Sequence, residues 1–256
     1  MSIRAACRAS RSVALVAGLA APCAIAGQPS ASAQRPSLSF NATTAPRGFL
    51  ELEAGAFASD GGAALPLLIK YGVTDRIELE FGVDAVRRVE AHGDHVSSVG
   101  DVTAGARAGL GRTAGGETSF AVVGFAKLPT AKDETGSGEP DLVALGIASI
   151  DLGRSVLDLN LGASALGRGD GDAVGQVQAI ATYYPAPSGP WTPFVEGAWQ
   201  KTAGGEGDGA FLDAGLSFSA SRVAVLDAAV GLGSSDGFPD WTATVGWAIL
   251  LGRPGR

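Results

Sequence analysis

From Phe49 onward the chain repeats one unit about twelve times: a run of nine to thirteen residues with small or apolar side chains at every second position, then a Gly-rich turn. A period of two sends alternate side chains to opposite faces of a strand. In the clearest copy Ile77, Leu79, Phe81 and Val83 alternate with Arg76, Glu78, Glu80, Gly82 and Asp84. One face suits lipid and the other water, whereas a helix would scatter these acids around its circumference. Tilted strands of about 9–11 residues cross a bilayer, and the runs have that length. The expected fold is all-β, an antiparallel transmembrane β-barrel of about 12 strands spanning 49–256.

The pattern predicts strands over 49–57, 64–72, 75–85, 99–110, 117–128, 141–150, 154–166, 173–184, 191–201, 209–219, 222–233 and 239–251. The connections between them alternate in character. Those at 73–74, 111–116, 151–153, 185–190 and 220–221 are mostly short, while those at 58–63, 86–98, 129–140, 167–172, 202–208 and 234–238 are mostly longer and more charged. Short periplasmic turns and longer external loops are the asymmetry of outer-membrane barrels. An even strand number then leaves both termini in the periplasm.

Composition agrees. The chain holds 38 Gly and one Met, and Gly inside a helix costs roughly 1 kcal/mol relative to Ala. Mean hydropathy is +0.21, yet no run of about 20 apolar residues exists that could span as a helix. Net charge is −7 and the isoelectric point about 4.8. Nucleic acid is excluded as a partner, because phosphate contacts need clustered Lys and Arg.

Residues 1–26 read as an export signal peptide: Arg4, Arg8 and Arg11 form a basic start, Val13 to Ala24 an apolar stretch, and Ala24-Ile25-Ala26 a small-x-small cleavage site, with Ala31-Ser32-Ala33 as a second candidate. The apolar stretch is too short for a membrane anchor, and Pro22 before Cys23 disfavours a lipoprotein site. Both cysteines, Cys7 and Cys23, fall in this segment, so the mature chain is expected to lack thiols and to lose three arginines, taking its charge from −7 to −10. Residues 27–48 are rich in Ala, Ser, Thr and Pro and lack an apolar period. They read as a flexible periplasmic lead-in, with a plug reaching into the barrel as the alternative.

Charges mark two surfaces. The expected external loops carry eleven acids, from Asp60 to Asp236, against Arg87, Arg88, Lys132 and Arg168. A solvated loop surface is the plainer account of this acidic rim. A sharper one is divalent cations held on carboxylate oxygens and bridging to anionic lipid. On the inward parity stand Glu51, Glu53, Lys70, Glu78, Glu80, Asp84, Arg107, Lys127, Asp158, Glu196, Asp213 and Asp227, the expected lumen lining. Adding Asp101, Arg76 and Arg154 gives ten acids against five bases. A constricted lumen with that surplus favours cations and neutral solutes over anions.

Three catalytic patterns fail on context. Gly109-Leu110-Gly111-Arg112-Thr113-Ala114 matches a dinucleotide fingerprint and Gly233-Ser234-Ser235-Asp236-Gly237 a nucleophile elbow, but a strand follows each where a helix is required. His92 and His95 flank Asp94 in an expected external loop, the arrangement of two solvated histidines more often than of a rim hydrolase. No enzyme activity, cofactor or metal centre is expected.

One stretch resembles a known family. Leu68-Ile69-Lys70-Tyr71-Gly72-Val73-Thr74-Asp75-Arg76-Ile77-Glu78-Leu79, then Gly100-Asp101-Val102, then Phe125-Ala126-Lys127-Leu128-Pro129-Thr130 are similar to the turn, strand start and strand end of the outer-membrane transporter-like family known as "putative MetA pathway of phenol degradation" proteins. The similarity covers about Leu65 to Gly162, and the remainder matches in rhythm. The resemblance implies a barrel in the bacterial outer membrane, with lipid around it and small solutes, aromatic or hydrophobic ones among them, passing through. It carries over no catalytic residue. The function read from the chain is a narrow outer-membrane channel, with a structural or adhesive barrel, and after it a rim hydrolase, as alternatives.

Overall fold

The computed structural model describes residues 35–252 apart from His92, Asp133, Asp170 and Ser235, so the expected signal peptide lies outside the described residues. Among those residues there is no helix; thirteen strands carry the fold. They are β1 (Leu50–Ser59), β2 (Gly62–Gly72), β3 (Ile77–Ala91), β4 (Asp94–Ser98), β5 (Val102–Arg112), β6 (Thr118–Leu128), β7 (Asp141–Asp151), β8 (Val156–Gly167), β9 (Ala173–Tyr184), β10 (Trp191–Thr202), β11 (Gly209–Ser221), β12 (Ala224–Ser234) and β13 (Trp241–Leu251).

Twelve of these close into an antiparallel barrel, each pairing with its chain neighbours and β13 pairing with β1. The thirteenth is β4, which the sequence reading took as part of a loop. It folds back on the outer part of β3, Arg87 facing Ser98 through Ala91 facing Asp94, while the inner part of β3 pairs with β5. The charges of 86–98 hid this hairpin, because above the membrane a strand has no apolar face to bury. The short turns are tight: in β7–β8 Asp151 Oδ1 accepts the Gly153 N–H at 2.7 Å, and Gly153 takes φ 87°, open to glycine without strain.

The distribution of side chains inverts that of a soluble protein. In β10, Thr192, Phe194, Glu196, Ala198, Gln200 and Thr202 are buried while Trp191, Val195, Trp199 and Lys201 are exposed. The largest fully buried side chains include Arg107, Lys70, Gln200, Glu51 and Glu53, whereas Leu161 is 70% exposed and Leu232 66%. Lys and Glu are rarely buried in soluble domains and large apolar residues rarely form a continuous exposed surface. A wall with charges inside and Leu and Val outside is explained by lipid around it. Strands of about 11 residues tilted near 45° rise about 25 Å, the height of the apolar band of such barrels. The Trp191 ring packs tilted against Phe218, centroids 4.5 Å apart, where β10 and β11 meet their short turns, and Tyr71 and Tyr183 stand near the same end. The aromatic belt is partial but sits at the expected level.

This predicts a folded form that enters the detergent-extracted outer-membrane fraction and migrates faster on gels when unheated. Leu161→Arg puts a charge in mid-bilayer at about 2–4 kcal/mol. That variant should lose most of the fast band while Leu161→Phe keeps it; equal bands would show that Leu161 does not face hydrocarbon.

Candidate functional site

The barrel interior divides into two walls. On β1, β2, β3 and β5 it is ionic. Register places Glu51 opposite Lys70, Lys70 opposite Glu80 and Glu78 opposite Arg107. The Lys70 ammonium bonds Glu51 at 2.9 Å and also Glu53, and the Arg107 guanidinium lies 3.1 Å from Glu78 and 2.8 Å from Glu80. All six residues are buried. From β6 to β12 the wall is more apolar, with Val123, Phe125, Leu145, Ile147, Ile180, Phe194 and Phe211 turned inward.

One polar row crosses the second wall. Ser149, Asp158, Thr182, Glu196 and Asp213 are successive partners across β7 to β11, with neither Lys nor Arg among them. Asp158, Glu196 and Asp213 are all buried. Such a row of carboxylates needs donors; Glu196 finds two in the chain itself, while one oxygen each of Asp158 and Asp213 has no hydrogen-bond partner among the described residues.

Residues 35–46, expected as a periplasmic lead-in with a plug as the alternative, run through the barrel interior. Arg35 and Ser37 to Asn41 are buried, as is Ala45. Glu196 accepts the N–H groups of Leu38 at 2.6 Å and Ser39 at 2.8 Å. Asn160 accepts the Phe40 N–H at 2.6 Å and donates to the Phe40 carbonyl at 2.8 Å, as a neighbouring strand would. Ser149 accepts the Ala42 N–H at 2.8 Å, Arg107 donates to the carbonyls of Asn41 and Thr43 at 3.1 and 2.8 Å, and Glu78 accepts the Ala45 N–H. Buried peptide groups must find partners, and here side chains of the wall replace the ladder. The Phe40 ring lies 5.4 Å from that of Phe125, with the Arg107 guanidinium 5.2 Å above it. The segment thus spans from the apolar wall to the ionic one and leaves beside β2, where Gly48 donates to the Gly72 carbonyl at 2.7 Å.

The opposite end is narrowed by a loop. Phe238, between β12 and β13, turns inward and stacks on Phe211 at 5.4 Å. Gln200 donates to the Gly207 and Gly237 carbonyls at 2.8 and 2.9 Å, fixing both loops over the lumen.

Of the twelve lining residues expected from sequence, eleven are buried and Asp84 is half-buried. Two work at the rim: Asp84 bonds Arg87 at 3.3 Å, and Lys127 bonds Asp141. Asp101 is also a rim residue, accepting the N–H groups of Thr130, Ala131 and Ser137. Arg76 and Arg154 are exposed in turns, because parity does not continue past a strand end. Asn160, Thr182 and Ser149 stand on the inward parity but carry no charge, so a count of charged positions misses them. Arg35 and Phe40 had no periodic signal at all.

Gly109 to Ala114 lies at the β5–β6 hairpin and Gly233 to Gly237 at the β12–β13 connection. His95 pairs in register with Glu90 and is exposed, while His92 lies outside the described residues. Among the described residues no three His, Cys, Asp or Glu side chains converge to hold a metal ion.

Residues 33–250 match the family described as "Putative MetA-pathway of phenol degradation". No curated protein matches the chain in sequence. Among solved structures, an outer membrane channel from Pseudomonas putida F1 is similar at 12% identity and a TM-score of 0.61, over 82% of this chain and 97% of that one. The KdgM porin is similar at 12% and 0.57, over 78% and 98%, and the NanC porin at 7% and 0.57, over the same shares. At these identities the likeness is one of fold.

Removing Arg107 alone strands two buried carboxylates, a loss of about 3–5 kcal/mol for such pairs. Arg107→Met should therefore lower the urea midpoint of refolded protein sharply, and adding Glu78→Gln and Glu80→Gln should restore most of it. An unchanged midpoint for Arg107→Met would show that the pairs are solvated.

Proposed function

The chain belongs to the "Putative MetA-pathway of phenol degradation" family, and from that premise we propose that it is a narrow outer-membrane channel for small molecules, cations and neutral compounds before anions. The observation that carries this reading is a lumen lined by groups with hydrogen-bonding capacity and a surplus of acids: eight buried acids against Lys70, Arg107, Lys127 and, from the inserted segment, Arg35. A barrel of eight strands is filled by its own side chains and one of sixteen or more leaves an open channel, so twelve strands give a lumen that a single inserted segment obstructs. Negative charge in a constricted, low-dielectric passage raises the local concentration of cations. The apolar wall with Phe125, Phe194 and Phe211 supports small aromatic or hydrophobic solutes as well. The barrel is not an enzyme on this reading, since none of the three catalytic patterns lies in a setting that could use it.

The inserted segment also favours a second reading, a structural barrel that never opens. Planar-bilayer recording separates the two. The channel reading expects cation-selective reversal potentials, a conductance that rises when residues 35–46 are deleted, and a weaker cation preference in Glu196→Gln with Asp213→Asn. Selectivity should also fall with salt as the Debye length shortens from about 10 Å at 0.1 M to about 3 Å at 1 M. Anion selectivity would overturn the account of the lumen. Silence from both the whole chain and the deletion would leave the structural reading.

A further inference from the structure

Around the wall, inward positions normally carry a side chain, yet β1 and β13 place Gly55 opposite Gly246. On the far side of Gly246 its partner in β12 is Asp227. Three neighbouring inward positions thus read Asp, Gly, Gly, a carboxylate beside a floor of bare backbone. The Arg35 guanidinium lies on that floor. A Cβ added at Gly55 would collide with its Nη2, and one at Gly246 with its Nε. Nη2 donates to Thr244 Oγ1 at 2.5 Å and to the Val245 carbonyl at 3.2 Å, and Nε reaches Asp227 Oδ1 only at 3.4 Å.

The fit is incomplete in one respect. The Asp227 side chain is fully buried, and its second oxygen has no hydrogen-bond partner among the described residues. A guanidinium presents parallel N–H groups that match both oxygens of a carboxylate, and the two-pronged arrangement is the stronger one. Arg35, held by the chain that follows it, makes one long contact where two short ones are available.

We infer that Asp227, Thr244 and the Gly55–Gly246 floor form a binding subsite for guanidinium-bearing solutes, filled in the resting chain by Arg35. A free guanidinium takes both Asp227 oxygens and competes with Arg35 for the notch. The inserted segment then acts as an internal competitor whose removal exposes the site. Glycine at 55 and 246 keeps the floor bare, since a Cβ at either would meet both the guanidinium and a carbonyl of the neighbouring strand, Val245 or Ala54.

The test reads binding rather than flux, so its failure leaves the channel reading standing and failure of that reading leaves the subsite standing. Titration calorimetry of refolded protein in detergent with ethylguanidinium is the measurement. Arg35→Ala, which alters a residue outside every strand, should bind at least tenfold more tightly than the unaltered chain. Arg35→Ala with Asp227→Asn, a substitution of the same shape, should lose that gain, and tetramethylammonium, which cannot donate hydrogen bonds, should not bind to either. Equal affinity for the unaltered chain and Arg35→Ala would overturn the inference, as would full affinity in the Asp227→Asn double variant. Gel mobility without heating verifies that each variant is folded.

Discussion

Hydrocarbon offers no hydrogen bonds, and every other feature of this protein follows from that. A spanning sheet must pair all of its backbone groups internally and leave no edge. Here the requirement is met by twelve strands that pair with their chain neighbours and by one long-range closure, β1 on β13. Closure fixes which parity faces inward for the whole ring, since one residue of slip would turn every side chain to the other medium. The exposed Leu and Val and the buried Glu and Lys are two results of that single choice.

The same rule governs the interior in a different way. Charges confined to a narrow lumen need partners, and the ionic wall supplies them across adjacent strands, Lys70 between Glu51 and Glu53, Arg107 against Glu78 and Glu80. The opposite row has acids and no bases, and its Glu196 takes two peptide N–H groups of the inserted segment as partners. Neither wall is complete alone: Arg107 serves the carboxylates of β3 and the carbonyls of Asn41 and Thr43 together. Phe40 adds an apolar contact to this polar grip, which places the segment at one depth among Ala121, Val123, Phe125, Leu145 and Ile147.

What the sequence made legible is what repeats. Alternation located the barrel strands to within three residues at each end, apart from the outer end of β3, because lipid on one side and a lumen on the other impose a period of two on each of them. It also placed Glu51, Glu196 and Asp227 on the inner face. It failed where no period operates. The hairpin of β3 and β4 rises above the membrane, so Arg87, Arg88 and Glu90 appear in a strand that looks like a loop. Arg76 and Arg154 stand just beyond strand ends, where the geometry that justified counting by twos has ceased. The segment from Leu38 to Ala45 is held largely through its backbone, and backbone contacts leave almost no trace in side-chain identity. Asn160, the residue that mimics a neighbouring strand for Phe40, looked like any other polar lining position.

The closure of the first strand on the last has a bearing on how the molecule is made. β1 can complete its pairing only after β13, the final strand, has been synthesised and delivered, so the ring seals last at the β1–β13 seam. The inserted segment enters the ring immediately before β1, yet its hydrogen-bond partners are spread from β3, β5, β7, β8, β9 and β10 to β12 and β13, which hold Arg35. It must be gathered against that open, curved sheet before the seam joins, or be threaded afterwards into a narrow space already crowded with charge. Early capture is the easier route, because an unclosed sheet offers Glu196, Asn160 and Ser149 to the segment's peptide groups from an open side.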